Sequence, residues 1–183
     1  METLAFVLNL LGLLSIIAAA YVRGNRIKTI LFLCFLCNLL VAIGYLLGGT
    51  GINGAASCFL GAAQTLINLF LQFKSKAVPK WLTGIYLLSF IAVNIWAGGL
   101  NLYSVLAILS CTSFIIAILQ TNSTRYRLFS LLNATLWGIY DVLTTSYNGL
   151  ITHVTLFTLT LASIILLDVL HKDKKEDAPE APQ

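Results

Sequence analysis

Asp141 and His153 are the residues of this sequence best suited to proton chemistry. Each lies inside a long apolar stretch, Asp141 as its only well-embedded acid and His153 as its only histidine. An ionisable group in hydrocarbon is costly, so it faces a partner or a wet cavity. The turn between the two stretches centres near Tyr147, six residues after Asp141 and six before His153. That spacing predicts similar depth on adjacent helices, where the two pair or share a proton as a gate. A helix-to-helix hydrogen bond satisfies the same pattern.

A second set could bind rather than react. Ser57, Gly61, Gln64 and Asn68 are spaced by four, three and four, which puts them on one helix face. Asn133, Trp137 and Tyr140 do the same, with Asp141 at their edge, and Asn38 and Tyr45 mirror them earlier in the chain. Asn38, Gln64, Asn68 and Asn133 offer hydrogen bonds to a small polar solute. Trp137 and Tyr140 offer faces for a flat or sugar-like one. Helix packing makes use of the same residue types. No zinc-ligand cluster, Ser–His–Asp set or phosphate-binding glycine loop is visible, so neither enzyme chemistry, nor a cofactor, nor a metal is expected. The four cysteines, Cys34, Cys37, Cys58 and Cys111, fall in apolar stretches and imply no disulfide framework. Cys34-x-x-Cys37 sits in such a stretch, where packing is a better account than redox chemistry.

The elements that carry these residues follow from composition. Of 183 residues, 58% are hydrophobic and 10% charged, with a mean hydropathy of +0.90. A soluble domain carries about 25% charged residues, and a bilayer-spanning helix needs roughly 20 apolar ones. Seven apolar segments account for most of the chain: 4–22, 29–48, 54–73, 81–97, 100–120, 128–145 and 149–170. Residues 1–170 read as one all-α integral membrane domain and 171–183 as a disordered tail. Only Met1 and Glu2 precede the first segment, without a basic n-region, so it reads as a retained span.

Charge placement predicts orientation. Arg23, Arg26 and Lys28 follow the first segment; Lys74, Lys76 and Lys80 the third; Arg125 and Arg127 the fifth; Lys172, Lys174 and Lys175 the seventh. With seven spans, all eleven cations share one side, which the positive-inside rule makes cytoplasmic. The N-terminus is then outside and the C-terminus in the cytoplasm. The net charge of +4 is scattered over short connections rather than gathered in a stripe, which argues against nucleic acid. The expected partners are the lipid bilayer and an unidentified small polar solute, with a homo-oligomer open.

A shift of 95 residues aligns the first three segments with the last three without a gap. Residues 5–76 and 100–171 share fourteen identities, of which the six leucines carry little weight. Asn38/Asn133, Tyr45/Tyr140, Asn53/Asn148 and Gly54/Gly149 carry more, with Ser15/Ser110 and Thr65/Thr160 beside them. Two such triplets joined by one helix make a 3+1+3 parallel repeat, a plan shared with SWEET transporters. The triplets are 4–73 and 100–170, with 81–97 as the linker.

The run RLFSLLNATLWGIYD from Arg127 to Asp141, with Tyr147 and Thr152-His153 after it, resembles the YgjV family of bacterial inner-membrane proteins. So does AQTLINLF with KAVPKWL, between Ala63 and Leu82. The likeness runs over nearly the whole chain. It implies a bacterial cytoplasmic membrane and a relation to the SWEET, PQ-loop and KDEL-receptor folds, without a substrate. Members with Asn and Arg where this chain has Gly61 and Gln64 lend it no charge-based role there. SWEET-type hinges use prolines within helices, whereas Pro79, Pro179 and Pro182 all lie outside the apolar segments. The expected function is alternating-access transport, with a membrane receptor or an assembly scaffold as the alternatives.

Overall fold

The computed structural model describes residues 2–22, 26–48, 52–143 and 147–170. Among them the chain forms seven helices: α1 (Glu2–Ala20), α2 (Ile27–Gly48), α3 (Ile52–Phe73), α4 (Lys80–Gly98), α5 (Leu102–Ile118), α6 (Ser123–Leu143) and α7 (Tyr147–Ser163). Helix α7 continues into a wider π-helical turn over Ile164–Val169. The tail from 171 onward and Arg23 lie outside the described residues, as do the side chains of Tyr45, Asn53, Tyr147 and Asn148.

Helix is what an apolar backbone must form where no water can satisfy its N–H and C=O groups. Local chemistry sets the ends. Pro79 precedes α4 in an extended conformation. Gly99, at φ +70, turns the chain into α5, whose cap Asn101 accepts a hydrogen bond from the Ser104 N–H at 2.9 Å. Asn122 accepts from the N–H groups of Thr124 (2.8 Å) and Arg125 (3.3 Å) and so starts α6. That start corrects the expected boundary at Leu128. Arg125 and Arg127 belong to the first turns of α6, not to a connection, because the Asn122 cap outweighs the local polarity.

Four helices contain stretches long and apolar enough to cross a bilayer: 3–20, 27–44, 55–73 and 150–169. Helix α5 and the 80–96 part of α4 are apolar but shorter. At 1.5 Å per residue, the 17 residues of α5 rise about 25 Å, less than the roughly 30 Å of a hydrocarbon core. Helix α6 has the length but carries Arg125, Arg127 and Asp141.

Helices adjacent in sequence pack side by side, and α1 also packs on α7, so the set closes into a ring. Its interior includes many small residues, such as Ala19, Ala42, Ala62, Ala107, Ala117, Ala134 and Ser110, while Phe6, Leu14, Phe32, Phe70, Leu88 and Val142 point outward. That distribution suits a solvent as apolar as the side chains themselves, where close helix approach gives the stabilisation. The contact of α1 with α2 is the clearest case. A Cβ on Gly12 would meet Val41 Cγ2 at 2.6 Å, and one on Gly44 would meet Asn9 Oδ1 at 2.4 Å.

Successive helices run in opposite directions. Lys28, at the start of α2, lies over the ring of Phe73, at the end of α3. Asp141, at the end of α6, meets His153, near the start of α7. One end of the ring therefore gathers Arg26, Lys28, Lys74, Lys76, Lys80, Arg125 and Arg127, and is called the basic end below.

Candidate functional site

Away from the basic end, α6 and α7 face each other through Asp141 and His153. His153 Nδ1 lies 2.6 Å from Asp141 Oδ2, with side-chain exposures of 22% and 6%. With the carboxylate ionised, Nδ1 donates, and Nε2 becomes the position where a proton or a solute can bind. The Trp137 ring stacks on the imidazole, 5.9 Å between centroids and 10° from parallel, which holds its rotation. Tyr140 meets Trp137 edge-on at 5.2 Å, and Tyr103 of α5 meets Tyr140 in the same manner at 6.4 Å. One turn of α6 thus supplies the acid and both aromatic rings, and α7 supplies the base. This arrangement can hold and pass a proton, and it presents aromatic surface beside a polar pair.

The amide residues lie elsewhere, engaged with backbone. Asn68 Nδ2 donates to the Ile118 carbonyl of α5 at 3.2 Å, and its Oδ1 accepts from the Tyr86 hydroxyl of α4 at 3.0 Å. Gln64 Nε2 donates to the Tyr86 carbonyl at 3.4 Å, while its buried Oε1 meets no donor among the described residues. Asn133 Nδ2 donates across to the Ser110 carbonyl of α5 at 2.7 Å. Asn38 Nδ2 donates to Cys34, one turn back on its own helix, at 2.9 Å. The structure therefore gathers Trp137, Tyr140, Asp141 and His153 into one site. It sets Gln64 and Asn68 in a second, around Tyr86. The two are joined through packing, because Trp137 rests on the cluster of Tyr86, Phe90, Cys111 and Ile115.

A third polar centre was not legible in the sequence. Arg127, only 1% exposed, places Nη1 2.6 Å from Asp168 Oδ1 in the π-helical turn. Its Nε donates to the Ala20 carbonyl at 2.8 Å and its Nη2 to that of Val22. Thr124 Oγ1 adds a 3.0 Å hydrogen bond to the same carboxylate oxygen. Arg127 is thus no water-facing loop cation: it and Asp168 hold each other. The available signal was an acid interrupting the apolar run IILLDV, yet nothing local pairs it with an arginine 41 residues away.

The cysteines serve packing. Cys34 Sγ lies 2.8 Å from the buried Tyr126 hydroxyl, and all four thiols are free. Among the described residues no group of three potential metal ligands comes together.

Residues 4–169 match the family Imp-YgjV, described as a bacterial inner membrane protein. No curated protein and no solved structure matches the chain. With nearly all of its helical part covered by that match, the chain is a membrane protein that belongs to the Imp-YgjV family of bacterial inner-membrane proteins.

Proposed function

We propose that the protein transports a small polar solute across the inner membrane by alternating access, with Asp141, His153, Trp137 and Tyr140 as its polar focus. The observation that carries this reading is the Asp141–His153 pair between α6 and α7, buried at the carboxylate and part-exposed at the imidazole. An acid in an apolar helix costs about 2.5–3.5 kcal/mol on insertion scales at mid-span, less near an end. Packing alone can be met by alanine and glycine, as between α1 and α2. A pair that binds or relays a proton gives the acid a use.

The repeat supports the same reading. Shifted by 95 residues, α2 falls on 122–143 and α3 on 147–168, close to α6 and to α7 with its π-helical turn. Helices α1 and α5 match less closely, since α5 starts later. A 3+1+3 parallel repeat in seven spans, with the basic end and the tail in the cytoplasm, fits these bounds and the positive-inside rule. Solute sites in such folds lie between the repeats, near mid-membrane. Asn38, Gln64, Asn68 and Asn133 would line that path once their present hydrogen bonds exchange. No enzymatic step, cofactor, metal or nucleic acid enters this reading, and a homo-oligomer is compatible with it.

A second reading has an observation of its own. The amides on α3 and α6 bond to backbone of α4 and α5, which ties the ring together as a rigid body. A receptor that binds without transporting, or an assembly scaffold, needs that rigidity. Counterflow in proteoliposomes, screened with sugars, amino acids and vitamins, separates the readings. Accumulation of one solute, lost in Asp141→Ala, supports transport. A solute that raises thermal stability without crossing the membrane favours the receptor, and no response to any solute favours the scaffold.

A further inference from the structure

The basic end of the ring is filled by apolar side chains from five helices. Ala19 closes α1, Leu31 and Cys34 open α2, Leu69 closes α3, Ile118 closes α5 and Tyr126 opens α6, all in one buried cluster. Leu31 and Cys34 are 0% exposed. Beside this plug, Arg127 joins the three chain ends that complete the ring. It donates to the carbonyl of Ala20, the last residue of α1, and to that of Val22 just beyond it, and pairs with Asp168 in the π-helical turn after α7. Tyr126, which holds Cys34, is its neighbour in sequence. At the far end the Asp141–His153 site retains 22% exposure at the imidazole, with Trp137 and Tyr140 half-buried.

We propose that Arg127 and Asp168 latch a cytoplasmic gate, whose closed plug is the cluster around Cys34 and Tyr126, so that the structure is the form shut toward the cytoplasm. The proposal rests on the transport reading for its purpose. The physical case is threefold. First, the ion pair lies where α7 meets α1, the seam at which a ring of sequential helices has no covalent connection. Second, the latch is incompletely satisfied: Asp168 Oδ2 is buried and meets no hydrogen-bond donor among the described residues. A buried pair holds only while its partners match, and a half-satisfied carboxylate favours exchange with water. Third, the same helix pair is clipped at both ends, by Asp141–His153 at one and Arg127–Asp168 at the other. Releasing the inner clip frees the end of α7 from α6 and α1 while the outer clip holds, which is the motion that alternating access requires.

Cys34 is a built-in reporter of this gate. In full-length protein with Cys37→Ala, Cys58→Ala and Cys111→Ala, Cys34 is labelled with a membrane-impermeant methanethiosulfonate, in inside-out vesicles and separately in spheroplasts. Asp168→Asn is expected to speed labelling from the cytoplasmic side at least about tenfold, the factor that loss of a charge-assisted hydrogen bond gives a two-state equilibrium. Labelling from the outer side is expected to stay slow. Gel filtration and thermal unfolding check that the variant is folded. An unchanged rate in folded protein overturns the latch, an equal rise from both sides shows general loosening and overturns it too, and a rise from the outer side alone overturns its placement. If Asp168→Asn does not accumulate, Thr124→Ala removes one hydrogen bond from the same carboxylate and is read by the same criteria. Labelling needs no solute. A gate that opens in a protein without counterflow leaves the latch standing and removes the transport reading, while counterflow with an unresponsive Cys34 does the reverse.

Discussion

Asp141 and His153 stand twelve residues apart in sequence and 2.6 Å apart in space, with the Trp137 indole nearly parallel to the imidazole at 5.9 Å between centroids. The near-parallel indole flanks the histidine on one side while the carboxylate meets its Nδ1. This pair is where a proton-dependent function would show itself.

Transport measured against pH is expected to change form when the pair is broken. Asp141→Asn keeps the shape but removes the charge, and His153→Ala removes the imidazole. Both are expected to flatten the pH profile relative to the unmodified protein, measured as counterflow or uptake between pH 5 and pH 9. A variant that transports with an unchanged pH profile removes the proton role from Asp141 and His153.

Arg127 is expected to be the most costly single polar residue to lose. Arg127→Ala leaves the Asp168 carboxylate with the Thr124 hydroxyl alone and removes the donor from the carbonyls of Ala20 and Val22, with a cost of about 3–5 kcal/mol for breaking a buried pair. Arg127→Lys is expected to recover only part of it, because an ammonium lacks the planar fork that reaches all three acceptors. Thermal unfolding in detergent gives the order: unmodified, then lysine, then alanine. Equal midpoints for alanine and the unmodified protein would contradict the buried geometry.

The α1–α2 contact makes a paired prediction. Gly44→Ala places a methyl 2.4 Å from Asn9 Oδ1, so overpacking of about 1–3 kcal/mol is expected. Asn9→Ala in the same chain makes room and is expected to return much of that loss. Gly84→Ala, with no atom within 4 Å of the added methyl, is expected to leave stability unchanged or slightly raised. A double-mutant cycle on thermal midpoints measures the coupling.

Tyr86 tests what the amide group is for. Tyr86→Phe removes the hydroxyl that donates to Asn68 Oδ1 at 3.0 Å, at a cost of about 1–2 kcal/mol. If Gln64 and Asn68 only tie helices together, counterflow at a temperature well below unfolding is unaffected. A fall in solute affinity without a matching fall in stability assigns them to the solute path.

The class of the molecule is written in its amino-acid order. Apolar stretches interrupted by short basic connections can only be membrane helices, because composition and backbone hydrogen bonding leave no other solution. That order also placed Asp141 and His153 at matching depth, since a short turn between two helices makes depth a matter of counting residues. What it could not supply was the company of side chains far apart in the chain. By local polarity Arg127 reads as one more loop cation, whereas α6 begins at its Asn122 cap, and Asp168 lies 41 residues further on. Tyr86 meets Asn68 and Gln64 only because α4 packs on α3. A helix face is set by a local period of 3.6 residues, so it is written in the sequence. Which face meets which depends on how the whole ring closes, so the Asp141–His153 pair could be anticipated and the Arg127–Asp168 latch could not.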